Sequence, residues 1–285
     1  MKFIKISIYI YCVSLATITL RAQNKDTIKY ALKSVTSNFS IPTIASVDPY
    51  LSPLMYRGIG IQYNRTTDKY LKPDRNQVSF HTRGYALAGF LENSNGNAFN
   101  TYVSYNYGWG YLYHYRPYSN FQLLIGGVWD YEFGYKNNSR NVNNIFNVDL
   151  SSNINLAIGL KYNIITPRRI MRVSLTFETP IFGYMFVPLG GASYYEILLM
   201  GDFSNTSHFS HLLNRQGYRQ NFGFEIPLKY MTWRLGLNTY SVIYKANDMV
   251  FSNKISGISI GASFDIATFT GRVKTPPNHF INSNN

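Results

Sequence analysis

The sequence predicts an all-β fold, an antiparallel transmembrane β-barrel of the outer-membrane type with about ten strands, within a range of eight to twelve. Three observations predict it. Apolar and polar residues alternate over segments of ten residues or more. Only 14% of the residues are charged and 16% are aromatic, whereas a soluble domain has about 25% charged residues. Glycine gathers on the polar side of the alternating segments.

The first 22 residues have the order of a secretory signal peptide. Lys2 and Lys5 precede an apolar run at 6–20, and Ala22 stands at the expected cleavage site. The run is shorter than the roughly 20 residues that a spanning helix needs, which disfavours a membrane anchor. We therefore predict a cleaved signal peptide, export through the inner membrane and residence in the cell outer membrane.

The one cysteine of the chain, Cys12, lies inside this segment. Tyr11 in front of it disfavours a lipidated cysteine, because cleavage at such a site requires a small residue. A mature chain without cysteine excludes a disulfide scaffold, a thiolate metal site and a cysteine nucleophile. We predict no catalytic residue, no cofactor and no metal.

The formal net charge of +13 predicts an anionic neighbour. Outer-membrane lipid and lipopolysaccharide phosphate fit an exported protein, and a surface glycan or another envelope protein is a further candidate partner. The barrel-assembly machinery would act during biogenesis. Nucleic acid is not an expected partner, since no Lys/Arg block or nucleic-acid motif is present.

The mature chain divides into three parts. No run of 18 apolar residues follows the signal, which excludes helical membrane spans and leaves a closed barrel as the membrane architecture. We predict an N-terminal leader or periplasmic extension at 23–52, the transmembrane β-barrel at 53–269 and a polar C-terminal tail at 270–285.

The clearest alternating segment is TYVSYNYGWGYLYHY at 101–115, in which the odd positions from Val103 onward are apolar or aromatic. A soluble strand would turn such rings towards a core and present polar side chains to water. We therefore predict that this face points outward into lipid, with rings near its ends in an interfacial girdle. Similar alternation recurs at 121–135, 148–164, 233–238 and 258–266.

Glycine placement favours a narrow barrel over a sandwich. Small residues on the inner face leave room for long polar side chains from the opposite wall. The lumen is therefore predicted to be filled by side chains, and a wide diffusion pore is not expected. The inward glycines are predicted to be Gly108, Gly110, Gly126, Gly134, Gly159, Gly236, Gly257 and Gly261.

The segments between strands are less regular. Asn-, Ser- and Gly-rich stretches at 92–100 and 136–144 predict surface turns. The stretch at 195–203 is a candidate short strand, and HFSHLLNRQ at 208–216 is predicted to be a short helix or loop.

Two stretches carry a family resemblance. VDPYLSPLMYRGIGIQY (Val47–Tyr63) and TPIFGYMFVPLGGASYYEILLMGDFSN (Thr179–Asn205), together with KYMTWRLGL, resemble an uncharacterised family of outer-membrane β-barrel proteins from Gram-negative anaerobes. In that family YLSPL opens the barrel, and the PIFG and SYYEI signatures lie towards its C-terminal half. The resemblance covers most of Val47–Phe269. It implies location and fold, and it brings no known activity, substrate or catalytic residue.

Ten charged or titratable residues fall on the predicted polar face. One interpretation is a proton or ion path, and the favoured one is a lumenal network in which carboxylates and cations neutralise each other. The residues are His81, Arg83, Asp130, Glu132, Asp149, Lys161, Arg172, Glu178, Arg234 and Asp265.

Two further clusters invite chemical readings. The first cluster could form a metal site or the centre of a Ser/His hydrolase, and its members are Ser207, His208, Ser210 and His211. Two histidines three residues apart with no third ligand are weak evidence for either site, so a polar loop is favoured. Glu196 in SYYE is predicted to lie inside the barrel wall beside tyrosine hydroxyls, with a structural role.

The predicted function is therefore that of a non-catalytic outer-membrane barrel with a narrow, filled lumen, acting in envelope structure, surface interaction or limited transport. Two alternatives stay open. An outer-membrane lipid-modifying enzyme requires His208 or His211 to meet a Ser or a carboxylate at one rim of the barrel. A secreted soluble β-sandwich that binds glycan requires the aromatic faces to be exposed to water.

Overall fold

The computed structural model describes residues 29–71, 77–141, 144–167, 169–228 and 231–270. The predicted signal peptide at 1–22 and the tail beyond Thr270 lie outside the described residues. The described part contains one short helix, α1 (Tyr194–Leu198), and eleven strands. The strands are β1 (Lys29–Asp48), β2 (Ser52–Tyr70), β3 (Val78–Asn93), β4 (Phe99–Tyr118), β5 (Phe121–Asn138), β6 (Phe146–Ile165), β7 (Ile170–Phe186), β8 (Ser207–His211), β9 (Arg215–Pro227), β10 (Thr232–Ala246) and β11 (Met249–Thr270).

The strands form one antiparallel sheet that closes on itself as a barrel with ten wall positions. Neighbours in sequence pair with each other, and β11 pairs with β1 to close the ring. The strands β8 and β9 share one position, because β8 pairs with the last residues of β7 and β9 pairs with the earlier ones. The predicted barrel of about ten strands is confirmed. The closed single sheet is incompatible with the soluble-sandwich alternative.

The predicted leader at 23–52 is wrong over most of its length, because Lys29–Asp48 is the first strand of the barrel. It pairs with β11 from Lys29 to Val47 and with β2 on its other side. Serine and threonine on both faces of this strand hide its alternation in the sequence. Pro42 interrupts its pairing with β2, and Gly257 of β11 accommodates the ring, since a Cβ there would lie 2.6 Å from Pro42 Cα.

The outward faces agree with the prediction. In β4, Tyr105 and Tyr111 are about half exposed, whereas Tyr102 and Asn106 point inward and are buried. In β11, Ile258 is 76% exposed. The aromatic and aliphatic side chains therefore form the outer surface of the wall, and the polar positions between them line the lumen.

The connection between β7 and β8 differs from the prediction, because 195–203 is not a strand. It contains the helix α1, which begins with a capping box: the Ser193 hydroxyl accepts from the Glu196 backbone N–H, and the Glu196 carboxylate accepts from the Ser193 N–H at 2.8 Å. Gly191 and Gly201, both with positive φ, flank the helix. These local hydrogen bonds favour a helical turn over the extended chain that the apolar residues suggest.

The segment 208–216 is also different from the predicted helix or loop. It holds most of β8, a turn at 212–214 and the start of β9. The Asn214 side chain turns back onto β8, where it accepts from His211 N and donates to the Phe209 carbonyl. Asn214 thereby satisfies backbone groups of β8 that no neighbouring strand reaches.

The two ends of the barrel differ in their connections. The first and last strand residues, Lys29 and Thr270, pair with each other at one end, here called the terminal end, where the connections span 71–77, 119–120, 166–169 and 228–231. The opposite end carries α1 in the longest connection, 187–206, and is here called the capped end.

Candidate functional site in the barrel lumen

Arg83 lies at the centre of the lumen and is 1% exposed. Its guanidinium reaches from β3 to Glu178 on β7, with donor–acceptor distances of 2.7 to 3.0 Å. It also donates to Asp130 at 3.0 Å and to Asn106, whose amide donates to Asp130 at 2.7 Å. Gly108 makes this possible, since a Cβ there would lie 3.0 Å from the Arg83 Cζ. The barrel is therefore bridged across its middle by one buried cation and two carboxylates.

A second layer of cations lies beside this bridge, towards the capped end. Arg219 stacks between the rings of Tyr85 and Tyr240, at 4.3 and 4.5 Å from their centroids. Tyr240 donates to Glu132 at 2.8 Å, and Arg215 donates to the same carboxylate at 2.9 Å. In this part of the lumen Arg215 is therefore paired with a carboxylate, whereas Arg219 is held by the faces of two aromatic rings.

A third group lies still closer to the capped end. The Lys136 ammonium contacts Asp149 at 2.8 Å and Asp48 at 3.1 Å, and it is fully buried. Tyr244 donates to Asp149 at 3.0 Å, and Asn147 donates to Asp48 at 2.9 Å. Asp48 at the end of β1 therefore ties the first strand to β5 and β6 across the lumen.

The capped end contains a buried apolar cluster. Tyr194 of α1 packs there with Tyr50, Leu51 and Phe251. Ile197 of α1 is also buried. The Tyr194 hydroxyl donates to Asn147 at 2.7 Å, and Tyr50 donates to the Ala192 carbonyl at 2.7 Å. Besides Tyr50, Leu51, Tyr194 and Phe251, the cluster contains Met185, Val187, Val242, Tyr244 and Ala246.

Burial in this cap changes the acidity of its tyrosines. Desolvation, followed by the nearby Asp48 and Glu196 carboxylates, raises the pKa of Tyr50 to about 12. Desolvation also raises the pKa of Tyr194 above its ordinary value. Both hydroxyls therefore stay protonated at physiological pH and keep their roles as donors in the cap.

The terminal end of the lumen carries a different set of charges. His81 contacts Asp68 at 2.7 Å, and Lys161 lies 3.9 Å from the same carboxylate. Glu225 pairs with Arg234 and lies 3.8 Å from Arg172. These groups surround the part of the lumen nearest the chain ends.

A cavity of about 90 Å³ lies between these groups and the Arg83 bridge. One side is apolar and is formed by Leu112, Leu124 and Ala157 on β4, β5 and β6. The other side is formed by asparagine and threonine side chains of β1, β2, β9 and β10, namely Thr36, Asn38, Asn64, Thr66, Asn221 and Asn238. Two other cavities of the lumen, beside Glu132 and beside Asp130, are smaller, with volumes of about 10 and 20 Å³.

The structure brings most of the predicted polar-face residues into ion pairs. Arg83, Asp130 and Glu178 meet at the bridge, and Arg172 and Arg234 meet Glu225. His81 and Lys161 both reach Asp68. Asp265 is exposed near the terminal end. The favoured prediction of a neutralising network is confirmed for these pairs.

Several members of the network were missed in the sequence. Asp48 lies in the segment predicted as a leader, and Lys136 lies in the stretch predicted as a turn. Asp68, Arg215 and Glu225 lie near strand ends, where the alternation is short. Lys136 could have been predicted from its even position in β5, because Asp130, Glu132 and Gly134 at the preceding even positions also point inward.

The structure separates the histidines of SHFSHLL. Within β8, His208 has the same parity as the buried Ser210, and its Nε2 is buried without a hydrogen-bond partner. The His211 Nδ1 instead accepts from Leu213 N in the turn that follows. Among the described residues, no group of three or more His, Cys, Asp or Glu side chains is arranged to hold a metal.

Glu196 does not lie inside the wall as predicted. It is exposed and caps the first turn of α1, and Tyr194 is the residue of SYYE that enters the barrel. The structural interpretation of this motif is correct, but the buried polar group is the tyrosine hydroxyl.

A family model described as a protein of unknown function, DUF3316, matches residues 6–272. The chain belongs to this family. The resemblance to an uncharacterised family of outer-membrane barrels is thereby confirmed at the level of family and fold. No curated protein matches the DUF3316 chain.

Solved structures similar to this DUF3316 protein are barrels of outer membranes. The outer membrane protease OmpT from Escherichia coli is 8% identical, with a TM-score of 0.45 over 85% of this chain and 99% of that one. The translocator domain of the autotransporter NalP from Neisseria meningitidis is 8% identical, with a TM-score of 0.37 over 90% and 95%. The transport unit of the autotransporter AIDA-I from Escherichia coli is 10% identical, with a TM-score of 0.36 over 90% and 97%.

The fold assignment rests on the closed sheet of the chain itself. The distant similarities to solved structures agree with this fold and do not indicate an activity. In the ranges that the structure describes, no helix is long and apolar enough to cross a membrane.

Proposed function

We propose that this protein is a non-catalytic outer-membrane barrel whose lumen is closed to diffusing solutes, and that it acts in envelope structure or surface interaction. The observation that carries the proposal is the Arg83 bridge. Its guanidinium joins β3 to Glu178 on the far side of the barrel and also holds Asp130. A solute that crosses the lumen would have to break these buried ion pairs.

A second barrier supports the same proposal. The apolar cluster around Tyr194 and Phe251 lies at the capped end, beyond the Arg83 bridge and the Lys136 ion pairs. In bacterial barrels the longer loops face outward from the cell and the short turns face the periplasm. The cap would then face the cell surface, where Leu198 of α1 and the following Leu199 are exposed for contact with lipid, glycan or another envelope protein.

The proposal includes location and export. Residues 1–22 would direct secretion and be removed, the barrel-assembly machinery would insert the chain, and lipid and lipopolysaccharide would surround its apolar outer face. The mature protein from isolated outer membranes should begin at Gln23 and should shift its gel mobility on boiling.

Conductance tests the closed lumen. In planar lipid bilayers the wild-type barrel is expected to give no current steps above the bare membrane, whereas the charge-balanced R83A/E178A variant should give small, regular steps. The variant removes one cation and one carboxylate of the bridge and leaves Asp130 beside Asn106. Current steps for the wild type as large as those of the variant would contradict the proposal.

The matched control is R65A on the neighbouring strand β2, where the exposed Arg65 belongs to the outer face. It removes an arginine without touching the bridge and should behave like the wild type. Heat-modifiability on gels checks that each variant is a folded barrel before its current is recorded.

Lipid hydrolysis tests the non-catalytic part of the proposal. Folded protein in vesicles of labelled phospholipid and lipopolysaccharide is expected to release no fatty acid above the rate of protein-free vesicles. The His208 Nε2 is buried without a hydrogen-bond partner, and the His211 Nδ1 accepts within its own turn, so neither contact described above joins a nucleophile or a carboxylate. Release that is lost in H208A or H211A but kept in R65A would establish the enzyme alternative instead.

A further inference from the structure

We infer that the 90 Å³ lumen cavity is a binding site for a neutral, hydroxyl-rich small molecule of monosaccharide size. The inference goes beyond the closed-lumen proposal, because a sealed barrel needs no ligand. The two can also fail separately, since conductance tests the bridge and a binding assay tests the cavity.

The first observation is a set of buried amide atoms without partners. Asn38, Asn64 and Asn238 line the cavity and are at most 7% exposed. The Asn38 Oδ1, both side-chain atoms of Asn64 and the Asn238 Nδ2 have no hydrogen-bond partner. Buried polar groups are normally paired. These unpaired amides belong to side chains that line the cavity, so a ligand with hydroxyl groups would supply the partners that they lack.

The positions of these amides make a continuous polar wall. Asn64 and Asn38 are register partners on β2 and β1, and Asn238 follows on β10, with β11 between. Asn221 of β9 extends the row and donates to the Tyr85 hydroxyl at 3.1 Å. These asparagines therefore lie side by side on the inner face of the wall, where one ligand could contact several of them.

The chemistry of the wall selects the ligand class. A carboxamide offers donors and an acceptor and carries no charge, which matches hydroxyl groups that both donate and accept. The facing wall of Leu112, Leu124 and Ala157 is apolar, which suits the C–H face of a sugar ring. The cations that line the cavity have carboxylates beside them, since Arg234 pairs with Glu225 and Lys161 lies 3.9 Å from Asp68, which also lines the cavity.

The size agrees with this class. A cavity needs about 10–15 Å³ of such volume to hold one water molecule, so 90 Å³ is room for several waters. A monosaccharide displaces a comparable amount of water. Above the cavity the Arg83 bridge closes the lumen, so the site is a dead-end pocket and not a stage in a channel.

The test is ligand binding to the folded barrel in a detergent without a sugar head group. Saturation-transfer NMR is run with glucose, galactose, mannose, arabinose and N-acetylglucosamine, and with glycerol, acetate and propionate as comparison probes. At least one neutral sugar is expected to bind saturably and to be displaced by its own excess. Binding confined to acetate or propionate would overturn the inference in favour of an anion site at Lys161.

Two variants separate a ligand-binding role from a structural one. N64L is expected to weaken sugar binding at least tenfold while its unfolding midpoint in urea stays equal to that of the wild type or rises, because Asn64 makes no side-chain hydrogen bond that could be lost. The matched control is N155A, since Asn155 is also buried with an unpaired Oδ1 but does not line this cavity. It should bind like the wild type.

Three results would overturn the inference. The first is no saturable binding of any sugar, which would mean that the amides bond only to water. The second is equal binding by wild type and N64L, and the third is equal loss in N64L and N155A. A barrel that binds sugar but conducts ions would overturn the closed lumen and leave this site intact.

Discussion

The R83A variant is expected to lower the free energy of unfolding by about 3–5 kcal/mol, because it leaves two buried carboxylates without their cation. Arg83 is 1% exposed. Its guanidinium donates hydrogen bonds to the carboxylate of Glu178 and one hydrogen bond to that of Asp130. Glu178 and Asp130, both buried, would then repel each other without a cation between them. Urea unfolding in lipid vesicles, followed by tryptophan fluorescence, measures the change.

Two control variants test whether the loss of stability comes from the buried ion pairs. R65A removes an exposed arginine from the outer face of β2 and should change the stability by at most about 0.5 kcal/mol. The neutral triple variant R83M/D130N/E178Q should recover at least half of the loss, since a buried ion network can often be replaced by uncharged groups. A loss for R83A no greater than that for R65A would mean that the bridge carries no net stability.

The I258R variant is expected to cost about 2–4 kcal/mol when the barrel is in a bilayer. Ile258 lies well inside β11, pairs in register with Ile41 and Leu237, and is 76% exposed. An arginine at that position would place its charge in hydrocarbon instead of water. Folding titrations in lipid vesicles measure the cost.

The comparison variant is N95R in the turn between β3 and β4, where Asn95 is exposed. An added charge in a solvated turn should change stability by no more than about 0.5 kcal/mol. Similar costs for I258R and N95R would mean that the outer face of β11 does not contact lipid. That outcome would contradict the membrane location while leaving the closed barrel in place.

The outer wall could be predicted from local pattern because each strand carries its own two-residue period. In β4 the rings of Tyr105 and Tyr111 were assigned outward from the sequence, and they are exposed in the barrel. The inward glycines were also identified, and Gly108 does make room for Arg83. Such features depend on residues within one strand, where sequence position and orientation are directly linked.

The sequence predicted that ion pairs fill the lumen, but it did not predict which residues pair with each other. Arg83 and Glu178 are 95 positions apart, and Lys136 and Asp48 are 88 apart. Which side chains meet depends on the tilt and register of ten wall positions together. The strand β1 was missed for a related reason. Its many serines and threonines hide the alternation of apolar and polar residues, so its inward and outward sides become clear only from its pairing with β2 and β11.

The sequence by itself determined the fold class, the outward faces and the inward polar character of this protein, because alternation of apolar and polar side chains is a local property of each strand. Only the tertiary structure decided the pairing across the lumen, the apolar cluster at the capped end and the cavity with its unpaired amides. These features arise where distant strands meet, and the position of one wall relative to another is set by the closed hydrogen-bond register of the whole barrel.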